Sequence, residues 1–322
     1  MRISVVGATG RIGAPLTRAL LAQGHRVKAL SRGGPGLDAL VALGAEPVIG
    51  SFDLGTGELG TFFRDADAAF LMVKTDWNDL HGHYPKVARR FVDTLRGSSV
   101  KLAVSLSAIG SDVRGSTGHF EGFHHLDATL DTLADIDLVH LRAGWFMENL
   151  LFWTGAVARY GRIGWSIEPG VKLPWIATGD IAGVAARELN HPTGERRVVR
   201  EVGAEDLGMP EVAAILAEEA GRPVTYHLVD RSRKDIETEF LRRFGTPERW
   251  LDDGQTLAAL NDGRVRFHAH RDPLPTTLRA FVRDTWMPRY REALAREEEP
   301  ESFMTWSAGA SFDLPIWPTM MR

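Results

Sequence analysis

The feature that most constrains the fold is a glycine-rich segment near the start of the chain. The residues GATGRIG at 7–13 follow the short apolar run Ile3–Val6 and precede Ala14–Ala22, whose apolar residues have helical spacing. Glycine destabilises a helix, so three glycines at this junction indicate a close approach to the backbone. Between a strand and a helix, they permit a tight turn, contact with a pyrophosphate and close helix–strand packing. The segment therefore predicts a dinucleotide site at a helix N-terminus.

The end of the second predicted strand, His25–Leu30, favours a phosphorylated cofactor. Chains that bind NAD usually carry Asp or Glu here for the ribose 2′-hydroxyl, whereas this chain has Ser31 and Arg32. A guanidinium binds a 2′-phosphate that a carboxylate would repel, and Arg11 can reach the same corner. We therefore expect NADP(H); the alternative for Arg32 is a solvated loop arginine. The predicted cofactor contacts are Gly7, Thr9, Gly10, Arg11, Ile12, Gly13, Ser31, Arg32, Ser51, Phe52, Val73, Lys74 and Ser107.

Strand and helix patterns alternate through the first half of the chain. The predicted strands are Ile3–Val6, His25–Leu30, Glu46–Ile49, Asp67–Val73, Val100–Leu106 and Asp137–Arg142. The predicted helices are Ala14–Ala22, Leu37–Leu43, Tyr84–Leu95 and Phe120–Leu133. This alternation predicts an α/β fold with a Rossmann-type, doubly wound parallel sheet and right-handed crossovers.

After about residue 150 the alternation weakens, which predicts a smaller mixed α/β C-terminal domain. The predicted elements there are helices at Leu150–Tyr160, Thr178–Leu189 and Met209–Ala220, strands at Pro174–Ile176, Arg197–Val202 and Val224–Leu228, mostly helix over 231–292, and an irregular tail from Glu297. We expect a cofactor domain at 1–150, rejoined by residues 174–203. Residues 151–173 and 204–322 are expected to form a substrate-binding cap.

The composition excludes several classes of function. The 322 residues include no cysteine, which excludes disulfides, thiolate metal sites and a thiol nucleophile. The net charge of −4 provides no basic field for nucleic acid or anionic lipid. The chain begins directly with a predicted strand and has no apolar run of about 18 residues. We expect a cytoplasmic monomer or homodimer with no nucleic-acid, membrane or metal partner.

Five segments resemble the NmrA-like branch of the atypical short-chain dehydrogenases/reductases. They are GATGRIG at 7–13, VKALSR at 27–32, SLSAIGSD at 105–112, DLVHLRAGWFMENL at 137–150 and PWIATGDIAGVAAREL at 174–189. The resemblance extends over roughly residues 1–230 and the segment TTLRAFVRD at 276–284. It implies NADP(H) binding, with reduction of quinones, isoflavone-type compounds or iminium ions in some members and redox sensing in non-catalytic members.

The catalytic positions depart from the wider family. Short-chain dehydrogenases ordinarily use a serine after the fifth strand and Tyr-x-x-x-Lys on the next helix. By this resemblance Ser107 takes the serine position, and counting from Asp127 puts His119 and Phe123 in the Tyr and Lys positions. A shift of one residue puts His124 in the Lys position instead.

Neither member of that pair is present, which argues against conventional ketone reduction but leaves hydride delivery, the cofactor's own chemistry. The predicted catalytic residues are His119, His124 and Ser107, with His119 as general acid near neutrality. The alternative for the histidines is that they are exposed polar residues near a helix start.

Aromatic residues follow the carboxyl ends of several predicted strands. Such rings form a wall that suits a flat aromatic or polycyclic substrate. The predicted substrate contacts are Trp77, Phe123, Trp145, Phe146 and Trp153. The alternative is that most of the tryptophans form the core of the cap.

We therefore expect an NADPH-dependent oxidoreductase that delivers hydride to a small aromatic or conjugated substrate, such as a quinone, an iminium ion or an activated double bond. A non-catalytic NADP(H) sensor that binds a partner protein would explain the missing Tyr and Lys. An isomerase or dehydratase that retains its cofactor is a third possibility, and it would turn over without net change in NADPH absorbance.

Overall fold

The computed structural model describes residues 1–57, 59–244, 246–267 and 273–296, and these residues form two compact units. The first unit contains Met1–Gly144 and Thr178–Val202. The second contains Trp145–Ala177, Gly203–Arg266 and the described residues from Pro273 onward. The tail predicted from Glu297 lies outside the described residues, and the predicted domain boundaries remain a prediction.

The strands are short, and most of the longer ones belong to the first unit. They are β1 (Arg2–Val6), β2 (Arg26–Ser31), β3 (Glu46–Ser51), β4 (Thr56–Gly57), β5 (Ala68–Leu71), β6 (Leu102–Ala108), β7 (Asp137–Ala143), β8 (Trp145–Phe146), β9 (Arg162–Trp165), β10 (Lys172–Ile176), β11 (Arg197–Val202), β12 (Glu205–Gly208) and β13 (Thr225–Leu228).

The helices alternate with the strands of the first unit and dominate the end of the second. They are α1 (Gly13–Ala22), α2 (Pro35–Val41), α3 (Leu59–Phe62), α4 (Leu80–Leu95), α5 (His119–Leu130), α6 (Thr154–Tyr160), α7 (Thr178–Asn190), α8 (Met209–Ala220), α9 (Lys234–Phe244), α10 (Pro247–Asn261), α11 (Leu278–Phe281) and α12 (Met287–Ala295), with a 3₁₀ helix at Met147–Trp153 and a π-helical turn at Val282–Trp286. None of these described helices is both long enough and apolar enough to span a bilayer.

The large sheet of the first unit has the strand order β11-β7-β6-β5-β1-β2-β3-β4. Its neighbouring strands are parallel except for the two-residue pair of β3 with β4 at one edge. The chain runs from β1 outward to β3 and then returns to β5 on the other side of β1. Sheets of this kind bind ligands outside the carboxyl ends of the strands where the order reverses. The predicted Rossmann-type doubly wound sheet is confirmed.

Strand β1 is buried on both faces, as a parallel strand covered by helices must be. Ser4 donates its hydroxyl hydrogen bond to the Phe62 carbonyl (3.0 Å), and Val6 belongs to the apolar cluster on the same face. Ile3 and Val5 alternate with them and are fully buried on the opposite face. Burial on both faces explains why the strand appears in the sequence as a continuous apolar run.

Helix α1 ends in a glycine turn. Gly24 has φ +81°, the left-handed region that favours glycine. Its amide donates to the Leu21 carbonyl (3.0 Å), and the His25 amide donates to the Leu20 carbonyl (3.1 Å). These two bonds form a Schellman motif, which returns the chain directly into β2.

In the second unit, β10 pairs with β8 and β12, and β13 pairs with β9. The Trp175 indole is fully buried and donates to the Leu207 carbonyl (3.0 Å). Trp286 is also fully buried, donates to the Leu150 carbonyl (3.0 Å) and stacks on Tyr290 at 4.8 Å between ring centres. Both tryptophans belong to the core of the second unit, since each is fully buried and its indole N–H donates to a carbonyl of the same unit.

Helix α4 begins one turn earlier than the helix predicted from Tyr84. Asp79 caps it by accepting the Gly82 amide at 3.0 Å. Proline is tolerated best in the first turn of a helix, but Pro85 lies in the second turn of α4.

The segment after β7 differs from the helix predicted at Leu150–Tyr160. It contains the short strand β8, then the 3₁₀ helix Met147–Trp153, and only then the α-helix α6. Strand β8 has two residues, and β9 and β12 have four each, which is too short for a period-two pattern to identify them.

Candidate cofactor and active site

The glycine loop after β1 packs so closely against neighbouring atoms that Gly7 and Gly13 leave no room for a side chain. Gly7 has φ +67°, and a Cβ there would lie 2.6 Å from Met72 Sδ. A Cβ on Gly13 would lie 2.1 Å from the Gly7 carbonyl oxygen, a backbone atom that cannot move aside. Gly10 donates its amide to the same carbonyl at 2.9 Å, which closes the turn. The loop therefore places the N-terminus of α1 beside the carboxyl end of β1.

The amide groups at this helix start are available to a ligand. Among the described residues, the amides of Arg11, Ile12 and Gly13 donate to no backbone or side-chain acceptor. The first turn of α1 carries no acidic residue and no side-chain cap. Thr9 and Arg11 are exposed beside it. Free amides together with the helix dipole make this position suitable for a diphosphate.

The end of β2 carries the cationic corner that the sequence predicts. The Ser31 hydroxyl is buried and accepts the Gly33 amide at 3.0 Å, so it shapes the turn. Arg32 and Arg11 are exposed, and neither forms an ion pair with another described residue. Two guanidinium groups with no acidic partner can bind a 2′-phosphate, and no carboxylate from β2 opposes it.

The predicted contacts after β3 and β5 differ in what they can offer. Ser51 and Val73 are buried, and the Ser51 hydroxyl accepts the Leu54 amide at 3.3 Å. The Phe52 ring is 1% exposed and packs against Phe91 at 4.6 Å in the apolar core. The buried ring leaves the backbone of Phe52 as the part available to a cofactor, and the predicted contact stays a prediction.

His119, in the predicted Tyr position, lies in an aromatic enclosure. The Trp77 indole stacks on it at 4.9 Å and 26°, and Phe123 meets it edge-on at 5.1 Å. Tyr84 approaches at 6.3 Å. Trp77 remains 42% exposed, so its indole presents a flat apolar surface on the outside of the enclosure, whereas Phe123 is almost completely buried within it.

The enclosure changes the protonation of His119. Burial lowers the pKa of His119 to about 4, because the charged ring loses its hydration. The ring is therefore neutral at pH 7, which argues against the cationic general acid that the sequence suggests. His124 donates from Nδ1 to the Ser111 carbonyl at 2.8 Å. Catalytic roles for both histidines stay predictions.

Ser107 belongs to a buried polar network that sequence reasoning missed. Its hydroxyl donates to Asp127 Oδ2 at 2.8 Å. His140 on β7 lies between Asp127 of α5 and Asp131, the C-cap residue of that helix. Its Nδ1 lies 3.2 Å from Asp127 Oδ1 and its Nε2 lies 3.0 Å from Asp131 Oδ1. Ser107, Asp127 and His140 are all less than a tenth exposed. A histidine inside an apolar strand and two aspartates four residues apart on a helix are the signals that could have identified this network.

The network holds His140 as a cation. Burial alone lowers its pKa, but the hydrogen bonds and charges of Asp127 and Asp131 outweigh burial and raise it to about 9. The imidazolium balances the negative charge beside Ser107. Because the Ser107 proton is directed at a carboxylate, its hydroxyl faces a ligand as an acceptor and not as an acid.

The aromatic residues predicted in the cap belong to the second unit. Trp145 and Trp165 meet at 4.6 Å, and Trp153 lies 5.8 Å from Trp165. Trp145 and Phe146 are half-buried. Trp153 is 1% exposed and donates its indole hydrogen bond inside the unit, to Gly164. Its burial makes Trp153 a core residue and does not support the predicted substrate contact.

Within the described ranges, no group of three or more His, Asp or Glu side chains is arranged to hold a metal ion.

Known proteins share the sequence pattern and the fold. The model of the NmrA-like family matches residues 1–253. The NAD(P)H azoreductase of Xenophilus azovorans is 28% identical over 261 residues, which cover 80% of this chain and 86% of that protein.

Two solved structures have the same fold at low sequence identity. The NADPH-dependent quinone oxidoreductase QOR2 of Escherichia coli, complexed with NADPH, has a TM-score of 0.69 at 20% identity, covering 88% of this chain and 99% of that one. NmrA, a negative transcriptional regulator in complex with NADP, has a TM-score of 0.69 at 17% identity, covering 92% and 98%.

Proposed function

Because this chain belongs to the NmrA-like family, we propose that it is an NADPH-dependent reductase of small aromatic or conjugated molecules. The observation that carries the proposal is the glycine loop with its free amides, beside two guanidinium groups that have no acidic partner in the part of the chain that the structure describes. The activity of the azoreductase relative, which acts with NAD(P)H, is consistent with it.

The residues present fit NADP(H) at both charged ends of its adenosine half. The amides of Arg11, Ile12 and Gly13 would hold the diphosphate, and Arg32 with Arg11 would hold the 2′-phosphate. Side chains at Gly7 and Gly13 would collide with Met72 and with the backbone of the loop, so glycine at both positions preserves the turn that presents these amides. When bound, the reduced nicotinamide supplies a hydride.

The residues near the predicted catalytic positions provide little acid catalysis. His119 is neutral at pH 7, and the Ser107 proton is directed at Asp127. A ketone would need a proton donor to stabilise the developing alkoxide. An iminium ion needs no proton after hydride addition, and a quinone yields a stabilised hydroquinone anion that water can protonate. The chemistry of the site therefore favours acceptors of these kinds.

The exposed indole of Trp77 would bind the substrate by stacking. Its outer face is apolar, flat and supported from behind by the ring of His119. Stacked aromatic pairs contribute about 0.5–1.5 kcal/mol beyond the area they bury. This contribution favours planar substrates over aliphatic ones of similar reactivity.

Stopped-flow measurement of NADPH oxidation tests the proposal. The protein is saturated with NADPH and mixed with a panel of quinones, iminium ions and azo dyes. Some of these acceptors should oxidise the bound NADPH, whereas simple aliphatic ketones should leave it reduced. Absence of oxidation across the panel, with tight NADPH binding by calorimetry, would contradict the reductase.

That negative result would instead favour a non-catalytic NADP(H)-sensing protein. The observation in its favour is the aromatic enclosure itself, which places a neutral histidine and a buried phenylalanine where a tyrosine and a lysine are expected. A sensor would bind NADPH and NADP⁺ with different affinities and expose a surface for a partner protein in only one of the two states.

A further inference from the structure

The peptide groups of Lys74, directly beyond β5, are held by side chains from two other segments. Its amide donates to Asp53 Oδ1 at 2.9 Å, and its carbonyl accepts from His83 Nε2 at 3.0 Å. The same histidine nitrogen lies 3.5 Å from Asp53 Oδ1. Both backbone groups of Lys74 are therefore fixed, although the residue lies beyond the end of a strand.

A third side chain fixes the segment that carries Asp53. Arg90 donates from one guanidinium nitrogen to the carbonyls of Phe52 (2.5 Å) and Asp53 (2.8 Å). His83 and Arg90 lie seven residues apart on α4, which puts them on one face of the helix. A Cβ at Gly55 would lie 2.5 Å from the guanidinium, so glycine leaves the room that Arg90 occupies. We name Asp53, His83 and Arg90 the Lys74 bracket.

The bracket joins two loops whose strands are not neighbours. Strands β2 and β1 lie between β3 and β5 in the sheet, so the chain after β3 must cross the carboxyl ends of those strands to reach Lys74. The glycine loop and the Arg32 corner follow these same two strands. The crossing segment therefore encloses the crevice that the strand order assigns to a ligand.

No partner of the Lys74 side chain, among the described residues, explains why its backbone is held at both polar groups. It is exposed, and its ammonium forms no ion pair within the described part of the chain. The nearby carboxylate of Asp53 is occupied by the Lys74 amide. Because Lys74 follows β5 at the carboxyl ends of the strands, its side chain starts from a fixed backbone beside the crevice.

We propose that the Lys74 bracket consists of positioning residues, which hold Lys74 so that its ammonium binds a phosphate group of the adenosine half of the cofactor. This inference rests on the proposed function, because it needs a phosphorylated cofactor in the crevice. Asp53, His83 and Arg90 act through Lys74 and touch no cofactor atom themselves. The competing interpretation is that these hydrogen bonds only stabilise the fold and do not affect cofactor binding.

Calorimetry with 2′,5′-ADP, which carries only the adenosine half, and with NADPH tests the bracket. Asp53→Ala should weaken both ligands by about tenfold, because a charge-assisted hydrogen bond to the Lys74 amide is lost. Asp53→Asn keeps an acceptor oxygen and should restore most of the affinity, as His83→Gln should relative to His83→Ala. Asp67→Ala is the matched control, because Asp67 accepts the Arg2 amide at 2.7 Å at the opposite end of the sheet.

A double-mutant cycle separates positioning from stability. In a Lys74→Ala background, Asp53→Ala should cause little further loss of 2′,5′-ADP affinity. Additive losses of affinity in the double variant, or losses equal to those of the Asp67→Ala control, would contradict the positioning role of the bracket. Such results would not affect the proposed reductase function. If the wild-type protein binds neither ligand, the proposed function itself fails.

Discussion

The buried histidine of β7 makes stability depend on pH in a defined direction. His140 has its pKa raised from the usual 6.5 to about 9 by Asp127 and Asp131. Its positive charge is therefore favoured in the folded state, so it stabilises the fold fully below about pH 6.5, and this stabilisation is lost as the pH rises through about 9. At about 1.4 kcal/mol per pH unit, the contribution is about 3 kcal/mol. His140 is 3% exposed, so solvent screening reduces it little.

The two carboxylates beside His140 also lie close to arginines. Asp127 also lies 4.0 Å from Arg142, and Asp131 pairs with Arg197 at 2.9 Å. Its partners hold the pKa of Asp131 below its usual range, against the effect of burial. The loss of stability between about pH 7 and pH 10 is therefore assigned to the His140 imidazolium.

His140→Gln isolates the effect. Urea unfolding followed by circular dichroism at about pH 6 and about pH 10 should show the wild-type free energy of unfolding falling by about 3 kcal/mol more than that of the variant. The variant should also be less stable than wild type at pH 6, because it leaves two carboxylates without their cation. NMR titration of the ring should give a midpoint near 9. Parallel pH dependences for the two proteins, or a midpoint near 6.5, would refute the reasoning.

The remaining predictions concern ligand binding and local protonation. Arg32→Ala should weaken NADPH at least tenfold more than NADH in calorimetry, since only NADPH carries the 2′-phosphate, and equal losses would contradict the assignment. Gly13→Ala forces a Cβ to 2.1 Å from a carbonyl oxygen of its own loop, so it should abolish detectable NADPH binding and destabilise the fold by about 1–3 kcal/mol or more. The control Gly183→Ala, where a Cβ meets nothing within 4 Å, should do neither. Trp77→Ala should rehydrate His119 and raise its pKa from about 4 toward 6.5, which NMR titration measures; an unchanged midpoint would show that the indole does not cause the desolvation.

The sequence predicts the sheet well because its central strands β1, β5 and β6 are buried on both faces. Strand β11 begins and ends at Arg197 and Val202 as predicted, and β1, β2, β3, β6 and β7 match to within about two residues at each end. The glycine loop is predictable for a different reason. The positive φ of Gly7 and the backbone contact at Gly13 both require glycine, so the structural need is visible in the sequence itself.

The parts of the site that sequence reasoning missed depend on contacts between distant residues. Asp53 and His83 meet at Lys74 only because the chain crosses the sheet after β3. His140 and Asp127 are likewise brought together by the packing of α5 on β7. No local pattern encodes the meeting of Asp53 and His83, and the residue types around His140 and Asp127 indicate candidates without showing that they pair.

Burial also decides what an aromatic residue can do, and one sequence does not reveal it. Trp153 and Trp77 look equivalent as residue types, yet the first is 1% exposed and the second 42%. Phe52 follows a strand end, as a cofactor contact would, but its ring fills the core.

The return of the chain to its first sheet has a consequence for synthesis on the ribosome. Strand β11 pairs with β7 along its whole length, with Leu138 opposite Arg197, and the chain between them makes an excursion through Trp145–Ala177. Until about residue 202 has emerged, the outer edge of β7 has no hydrogen-bonding neighbour and can pair with other nascent chains. Fragments that stop after Gly144 should therefore aggregate, and a nascent chain of that length is a natural client for chaperones.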